Sequence, residues 1–376
     1  MKYDTGVCSR SNTGLEERQG HISSERKRLE IVRGILKEQS LPGMGLPVKL
    51  ALDVEDADDC AVYDLPGNLS LLVGMDFVRG TGFKLFQEKY LNYFDIGYYL
   101  VVANLSDIAA MGGTPIGLTT VVRYPASLED ADFIQVIEGI KEAASYYHTP
   151  IIGGDIGGYE EMVLAASAFG IADRNTYLKR RGTLEGDVLC LTGSIGLAST
   201  ALVYFTRARS GEFSLAEEEE QLLLNSWRRP AARIAEGLAL ARSGTVHACQ
   251  DVSDGLKATI DQLGQASTIS FEIYEAQLPV HLVTTKVASF LQVDPLAVAL
   301  GASVDFQLLF TVAPQDLPVV EAALQALSCP CHVIGRAIAV SETSRLLRRD
   351  GGVSAIPGTA WDQQVEDVAT VILEGR

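Results

Sequence analysis

The sequence predicts an α+β protein made of two α/β domains. After Leu41, short apolar segments of strand length alternate with longer segments in which apolar residues recur at helical spacing. The chain has 376 residues, of which 47% are hydrophobic, so it holds enough apolar material for two cores. A charged stretch over 173–186 separates two apolar strands. We therefore predict a disordered leader over 1–21, an N-terminal domain over 22–175 and a C-terminal domain over 176–376.

The helices are predicted from apolar spacing and from their end signals. A first helix is expected over 25–37, where Leu29, Val32 and Leu36 share one face. Ser127 and Asp130 have the spacing of a capping box, and the helix that follows them stops before Pro150. Further helices are predicted over 95–111 and 255–266, and the acidic run 217–220 indicates a solvated helix start.

The strands are predicted from short apolar runs bounded by turn residues. In chain order they cover 69–74, 117–123, 149–152, 162–171, 188–192, 270–274, 305–312 and 332–338. Both halves of the chain thus contain strands and helices.

Charge and composition exclude several classes of protein. The chain carries 31 Lys and Arg against 48 Asp and Glu, a formal charge of −17, so neither a nucleic acid nor an anionic membrane surface would be attracted to it. No apolar run reaches the roughly 20 residues of a membrane span, and the N-terminus has no apolar core of a signal peptide. The scattered cysteines fit a reducing compartment. We expect a soluble, cytoplasmic protein that needs cations to handle any anionic substrate.

Aspartates repeatedly follow or border apolar segments. A single aspartate in such a place is usually a cap or turn residue. Repetition at five places favours a shared site, because a carboxylate beside apolar strands is unfavourable without a compensating cation. The residues concerned are Asp58, Asp59, Asp76, Asp107, Asp155, Asp251 and Asp254.

The chemistry of these side chains points to magnesium. Converging carboxylates repel one another, and divalent cations would relieve that repulsion. Oxygen ligands without histidine or cysteine favour Mg²⁺ over Zn²⁺, and Mg²⁺ commonly implies a polyphosphate substrate. Asn104 and Asp107 stand at i and i+3 on one helix face, which is typical either of a site or of a fraying helix end.

Two glycine-containing segments are candidate phosphate-binding turns. Residues 151–158 read as a strand followed by glycines around Asp155, which is either a phosphate cradle or a tight turn. Residues 192–196 also read as a phosphate-cradling turn or, less well, as a dehydrogenase-type turn. The sequence has no GxxxxGK[ST] loop and no HRD/DFG set, so it matches neither P-loop enzymes nor protein kinases.

Four strings resemble the motifs of the thiamine-monophosphate kinase family, which belongs with aminoimidazole-ribotide synthase to one superfamily. They are Asp58-Asp59-Cys60-Ala61-Val62, the segment from Asn104 to Gly113, Gly153-Gly154-Asp155 and the segment from Asp251 to Leu256. The similarity runs from about Glu55 to Trp361. It implies an aminoimidazole-ribotide-synthase-like fold, with a mixed-sheet N-terminal domain that dimerises, an α/β C-terminal domain and ATP in the cleft.

The resemblance also implies roles for individual residues. The implied magnesium ligands are Asp58, Asp59, Asp76, Asp107, Asp155, Asp251 and Asp254. The candidate nucleotide-binding residues are Asn104, Tyr147, Gly153, Gly154, Arg180 and Ser253. The candidate catalytic residues are Asp107, Asp254 and Asp305, and the candidate acceptor-binding residues are Phe83 and Trp361. Asp305 would be the base if the acceptor were a hydroxyl or an amide.

The departures from the family pattern lie mainly on the acceptor side. Glu55 and Ala57 replace two glycines, and Met75 replaces a threonine. Gly82 stands where the family has a substrate-contacting histidine, and Val304 replaces a glutamate. We expect ATP and Mg²⁺ chemistry to be retained, while the acceptor remains open.

Three hypotheses follow for the function. The first is an ATP- and Mg²⁺-dependent kinase that converts thiamine monophosphate, a small phosphorylated acceptor, to thiamine diphosphate. The second is a paralogue that phosphorylates or activates another small molecule. The third is a non-catalytic ATP-binding protein. The resemblance implies a homodimer.

Overall fold

The computed structural model describes residues 24–36, 47–359 and 367–374 of the chain. The predicted leader over 1–21 and Trp361 lie outside the described residues. The N-terminal part contains, in order, α1 (Ser24–Leu36), β1 (Lys49–Leu52), β2 (Ala61–Asp64), β3 (Leu69–Val78), α2 (Lys84–Gln87), α3 (Tyr93–Ala110), β4 (Thr114–Tyr124), α4 (Asp130–Tyr146), β5 (Ile151–Gly158) and β6 (Val163–Asp173).

The C-terminal part begins with β7 after the charged stretch. Its elements are β7 (Val188–Leu191), α5 (Leu197–Val203), α6 (Glu217–Arg228), α7 (Ile234–Ser243), β8 (Val246–Asp251), α8 (Leu256–Ser267), β9 (Ser270–Tyr274), α9 (Leu282–Leu291), α10 (Pro295–Leu300), β10 (Leu308–Val312), α11 (Leu317–Gln325), β11 (His332–Ile338), β12 (Arg345–Leu347), β13 (Val353–Ser354) and α12 (Val368–Glu374). A short π-helical turn, Tyr204–Ala208, extends α5.

Each part contains one mixed sheet, which agrees with the predicted α+β class. Sheet A has the order β1-β2-β3-β6-β4-β5, and all its neighbours are antiparallel except β4 and β5. Sheet B has the order β13-β12-β9-β11-β7-β10-β8, with β9 and β12 as its parallel pair. Sheet A ends at Asp173 and sheet B starts at Val188, so the predicted boundary at residue 175 falls between the two sheets.

Helix α3 lies at the centre of the molecule. Almost all of its side chains are buried, because it packs on sheet A and α4 in the N-terminal part and on α7 and β8 in the C-terminal part. The start of α3 is a reciprocal capping box, in which Asn92 accepts from the Asp95 backbone N–H and Asp95 accepts from the Asn92 N–H. The prediction placed this start at Asp95 because it missed Asn92 as the cap.

Two glycines allow α3 and α4 to pack with their backbones in contact. A methyl group added at Gly139 would lie 2.0 Å from the Phe94 carbonyl oxygen, and one added at Gly97 would lie 2.1 Å from the Val136 carbonyl oxygen. Neither distance is compatible with a real side chain, so these positions require glycine. The close approach fixes α3, and with it the side chains near its C-terminal end.

Some local predictions were wrong. The capping box at Ser127 and Asp130 does not form, because Glu129 precedes the first turn of α4 and makes no side-chain capping bond. The glycines after Ile152 do not form a turn: β5 continues to Gly158 and pairs with β4 over that length. The acidic run at 217–220 does begin a helix, as predicted. Strands β1 and β2 are short and partly exposed, and the apolar pattern did not reveal them.

The two faces of sheet A differ in exposure. Along β3, Ser70, Leu72 and Gly74 are buried against the helices. Their neighbours on the opposite face include Met75, which is 69% exposed, and Phe77, which is 44% exposed. Among the described residues, no helix is both long and apolar enough to cross a bilayer.

We expect the substitution Gly139→Ala to destabilise the protein by about 2 kcal/mol or more, because the added methyl group overlaps the Phe94 carbonyl. Urea unfolding followed by circular dichroism measures this difference. Gly211→Ala is the control, since a methyl group there meets no atom within 4 Å. Equal destabilisation by the two substitutions would contradict the proposed packing of α3 on α4.

Candidate active site

The first part of the site is the turn between β1 and β2. Ala57 has a positive φ of 54°, a left-handed conformation that glycine adopts more readily than alanine. The next two residues, Asp58 and Asp59, point toward the centre of the molecule, and the Asp59 side chain is completely buried. The turn therefore carries two adjacent carboxylates into the space between the two parts of the chain.

Three carboxylates from distant parts of the sequence meet at this place. Asp59 comes from the turn, Asp107 from α3 and Asp251 from the end of β8. One oxygen of each lies within 4.8 Å of the others. Helix α3 belongs to the N-terminal part and β8 to the C-terminal part, so the cluster forms only when both parts are packed together.

Burial and mutual repulsion make these carboxylates difficult to ionise. Burial, followed by the Asp251, Asp76 and Asp59 carboxylates, raises the pKa of Asp107 well above its usual value. Burial and the Asp59 carboxylate raise the pKa of Asp251 to about 7. The same two causes raise the pKa of Asp58 to about 7. The nearby Arg180 guanidinium lowers all three pKa values, but less than burial raises them.

Polar side chains hold the carboxylates in place. Ser106 Oγ donates to one oxygen of Asp251, and Ser253 Oγ donates to the other at 3.2 Å. The side-chain oxygen of Asn104, Oδ1, accepts a hydrogen bond from the Asp76 backbone N–H at 2.9 Å. The side-chain nitrogen, Nδ2, donates to the Leu100 backbone carbonyl. Ser106 was not among the predicted site residues, although it stands directly before Asp107 in the motif.

Asn104 and Ser253 were predicted to bind the nucleotide. In the structure Asn104 is fully buried, and it orients the strand that carries Asp76. Ser253 is partly exposed at the acidic cluster. The helix does not fray at Asn104, because α3 continues to Ala110. The structure therefore contradicts the interpretation of the Asn104–Asp107 pair as a fraying helix end, and the role of the pair in a site stays a prediction.

Arg180 contacts the acidic turn with both its backbone and its side chain. Its backbone N–H lies 3.2 Å from each oxygen of Asp58. Its Nε donates to Asp59 Oδ1 at 3.0 Å, its Nη2 donates to the same oxygen, and its Nη1 donates to the Ala57 carbonyl at 3.0 Å. This guanidinium was predicted to touch the nucleotide, and here it pairs with a candidate metal ligand.

Asp155 does not join the cluster within one chain. The strand register aligns Asp76 with Ala166, Thr120 and Gly154 across sheet A, so Asp155 belongs to the next row, which faces the opposite side of the sheet. Three strand spacings put it on the order of 14 Å from Asp76. Its exposed carboxylate pairs with Arg123.

Gly153 and Gly154 lie beside Asp155 on the exposed edge strand β5. Gly154 has φ +155°, and a methyl group there would lie 2.1 Å from the Thr120 carbonyl oxygen, so this position requires glycine for sheet pairing. Tyr147, a further candidate for nucleotide binding, accepts a hydrogen bond from the Ala232 backbone N–H at 2.8 Å and so links α4 to the C-terminal part.

Asp305 holds the turn after β7. Its Oδ2 accepts from the Gly196 backbone N–H at 2.9 Å, just before α5. Burial raises the pKa of Asp305 to about 6, although the backbone donors lower it. The turn at 192–196 is held at its other end by Gln307, whose Oε1 accepts from Thr192 Oγ1 at 3.2 Å. Asp305 thus already has a structural role, and its catalytic role stays a prediction.

A cavity of about 530 Å³ lies beside Phe83. The segment after β3 supplies Arg79, Gly82 and Lys84 to its wall, and the C-terminal part supplies Arg207 and Trp227. Phe83 is buried and makes edge contacts with Tyr99 and Trp227, at ring distances of 5.2 and 5.3 Å. The first lining residue in chain order, Arg79, follows Asp76 by three positions. The cavity walls contain both charged and aromatic side chains.

The residues in the cluster fit magnesium. Every ligand available from Asp59, Asp107 and Asp251 is a carboxylate oxygen, as hard divalent cations prefer. Asp59 Oδ2 is buried and has no hydrogen-bond partner among the described residues. A buried carboxylate oxygen without a partner is unfavourable unless a cation binds it.

Comparisons with known proteins identify the family of this chain. Residues 57–172 match the family model "AIR synthase related protein, N-terminal domain", and residues 185–347 match the corresponding C-terminal domain. The thiamine-monophosphate kinase of Bacillus subtilis is 29% identical over 302 residues, which are 80% of this chain and 90% of the relative. That of Synechococcus elongatus is 32% identical over 285 residues, covering 74% of this chain and 82% of the relative.

Among solved structures, "AaThiL complexed with AMPPCP and TMP" matches with a TM-score of 0.72 and 21% identity, over 93% of this chain and all of that chain (100%). This similarity confirms the predicted fold, and the sequence matches confirm the predicted resemblance. The chain belongs to the thiamine-monophosphate kinase family, within the AIR synthase related proteins.

Proposed function

We propose that this protein transfers the γ-phosphoryl group of ATP to the phosphate of thiamine monophosphate. The observation that carries the proposal is the meeting of Asp59, Asp107 and Asp251 within 4.8 Å in a chain of this family. A related structure is described as a complex with AMPPCP and TMP, a nucleotide analogue and an acceptor. The proposal therefore includes ATP as phosphoryl donor and a small phosphate as acceptor.

Asp59, Asp107 and Asp251 would hold Mg²⁺, and Asp58, Asp76 and Asp254 lie close enough to influence the same site. Bound magnesium would neutralise charge on the triphosphate and on the acceptor phosphate. The role of the protein is then mainly to position its ligands. Ser106 and Ser253 orient the Asp251 carboxylate, and Asn104 orients the strand at Asp76.

The reaction needs no general base. A phosphate monoester has a second pKa near ~6, so the acceptor is already largely ionised at neutral pH. Asp107 and Asp254 then contribute as ligands and as fixed charges, and Asp305 keeps the turn at 192–196 in position. The site must mainly align two anions that repel each other.

We place the acceptor in the cavity beside Phe83. The cavity is lined by three cationic side chains, Arg79, Lys84 and Arg207, and by one acidic side chain, Asp367, which pairs with Arg207. Phe83 and Trp227 supply flat apolar surface. These properties suit an aromatic heterocycle that carries a phosphate. The acceptor-binding role of Trp361, which lies outside the described residues, stays a prediction.

A second copy of the chain would explain the position of Asp155. We propose a homodimer formed through the outer face of sheet A, where Leu69, Met75 and Phe77 are exposed. Asp155 lies on that face, together with Arg123 and next to Gly154. In such a dimer, Gly153, Gly154 and Asp155 of one copy would complete the nucleotide and metal site of the other.

The first prediction is that purified protein with ATP, Mg²⁺ and thiamine monophosphate forms thiamine diphosphate. Chromatographic detection of the product measures this. We expect Asp107→Asn to reduce the rate by at least about a hundredfold, because it removes one ligand charge at the centre of the cluster.

The control is Asp261→Asn, a partly exposed aspartate that pairs with Lys257 on α8. ATP turnover that Asp107→Asn abolishes, but that another phosphate or hydroxyl acceptor stimulates, would support the paralogue hypothesis. ATP binding without any turnover would support the non-catalytic one.

The second prediction concerns stability and pH in the absence of magnesium. Asp58 and Asp251 have a pKa of about 7 in the folded protein. Because an unfolded aspartate has a pKa of about 4, the folded state retains protons that the unfolded chain has released. The contribution of these two groups to stability is therefore greatest below about pH 4 and falls as pH rises to about 7, by up to about 1.4 kcal/mol per pH unit for each group.

Thermal unfolding between pH 4.5 and 7.5 measures this slope, as an order of magnitude. We expect Asp251→Asn to reduce the slope and Asp261→Asn to leave it unchanged. Added Mg²⁺ should stabilise the protein most at the upper end of the range. A slope that Asp251→Asn does not alter would contradict the raised pKa of Asp251.

The third prediction tests the shared site. Asp155→Asn and Asp107→Asn are each expected to be inactive, but mixing them after mild dissociation should restore about one quarter of the wild-type activity, because half of the dimers then contain one intact site. Mixing each variant with itself is the control. If the mixture stays inactive although native mass spectrometry, with one variant isotopically labelled, shows mixed dimers, Asp155 does not act on the partner's site.

A further inference from the structure

Arg180 lies at a junction between the two parts of the molecule. The carbonyl of its neighbour Lys179 accepts from the Cys249 backbone N–H at 2.8 Å, two residues before Asp251. The Arg180 carbonyl accepts from Ser267 Oγ on α8 at 3.4 Å. Hydrogen bonds thus connect residues 179–180 to β8, which ends at Asp251, and to α8.

Arg180 also contacts the turn at 57–59, which supplies Asp58 and Asp59 from the N-terminal part. Its backbone N–H faces both oxygens of Asp58, and its guanidinium binds Asp59 and the Ala57 carbonyl. The Arg180 side chain is 21% exposed, whereas the Asp59 side chain has no exposed surface. Arg180 therefore connects the turn at 57–59 to the β8 side of the cluster from the edge of the site.

The two oxygens of Asp59 have different surroundings. Oδ1 accepts both Nε and Nη2 of Arg180, while Oδ2 is buried without a hydrogen-bond partner among the residues that the structure describes. A carboxylate held at one oxygen by two donors of a planar guanidinium has little freedom to rotate. Its second oxygen is then kept in a set direction.

We infer that Arg180 is a positioning residue for the metal site, which it serves by holding Asp59 Oδ1 so that the unpartnered Oδ2 stays available to a cation shared with Asp107 and Asp251. This inference rests on the magnesium site of the proposed function. It differs from a nucleotide contact because it requires no nucleotide. It also differs from simple charge compensation, because removing a positive charge beside a cation site would by itself strengthen Mg²⁺ binding.

The test is Mg²⁺ binding to the nucleotide-free protein, measured by calorimetry at fixed pH. Loss of a side chain that orients a metal ligand typically weakens metal binding about 10- to 100-fold, and we expect Arg180→Gln to weaken it by about tenfold or more. Arg181→Gln is the matched control: it removes the same charge from the next residue, whose side chain is 52% exposed and pairs with Asp56 at 2.9 Å. We expect the control to bind Mg²⁺ like the wild type.

Two further variants separate the mechanism from a general loss of structure. Arg180→Lys keeps the charge but cannot bind Asp59 and the Ala57 carbonyl with a planar fork, so we expect it also to weaken Mg²⁺ binding. In an Asp59→Asn background, Arg180→Gln should cause little additional loss, since its effect passes through Asp59. Circular dichroism establishes whether each variant is folded. If Arg180→Gln is not folded, the test relies on Arg180→Lys.

The outcomes are distinct. Equal or tighter Mg²⁺ binding by the folded Arg180 variants overturns the inference, as does a loss confined to binding of the Mg²⁺–ATP complex. Full additivity with Asp59→Asn also overturns it. If the wild type itself binds no Mg²⁺, the magnesium site of the proposed function fails as well, whereas wild-type binding with unchanged binding by Arg180→Gln contradicts only the role of Arg180.

Discussion

The main constraint on this structure is that several carboxylates lie close together in one buried place. Like charges at this separation raise one another's pKa, and burial raises it further, as Asp58, Asp107 and Asp251 show. Packing of the two parts of the chain must overcome this repulsion. The Arg180 guanidinium supplies part of the compensation, and bound cations would supply the rest. The acidic cluster is thus an unfavourable feature that the surrounding fold maintains for function.

Helix α3 provides the rigidity that this arrangement requires. Gly97 and Gly139 let it lie against α4 with backbone atoms in contact. Toward its C-terminal end, a methyl group at Gly237 would lie 2.0 Å from the Ala109 carbonyl, so α7 of the C-terminal part packs equally closely. Asp107 lies between these contacts. Because α3 is clamped by both parts of the chain, the position of its carboxylate is coupled to the packing of the whole molecule.

The family and a set of candidate site residues were predictable from sequence because they follow from residue type and order. Aspartates next to apolar segments indicated a cation site, and the motif strings identified the family that the comparisons confirm. The prediction was weaker for contacts between residues far apart in the chain. It did not include the contact of Arg180 with Asp59 and it omitted Ser106, because no local pattern reveals a hydrogen bond from Arg180 to Asp59 or from Ser106 to Asp251. The nucleotide role of Arg180 stays a prediction. It also ended the strand at Ile152 and interpreted the following glycines as either a phosphate cradle or a turn, since pairing with β4 depends on a strand distant in the chain.

By itself, the sequence determined the α+β class, most of the longer helices and strands, the family, and the set of acidic residues, since these depend on local periodicity and on motifs. Only the tertiary structure decided which carboxylates meet. Asp76 and Asp155 both belong to strands of sheet A, yet the register of β3, β6, β4 and β5 puts them on opposite faces. Side chains alternate between the faces of a strand, so a single residue of register decides whether a carboxylate enters the site or faces the other side.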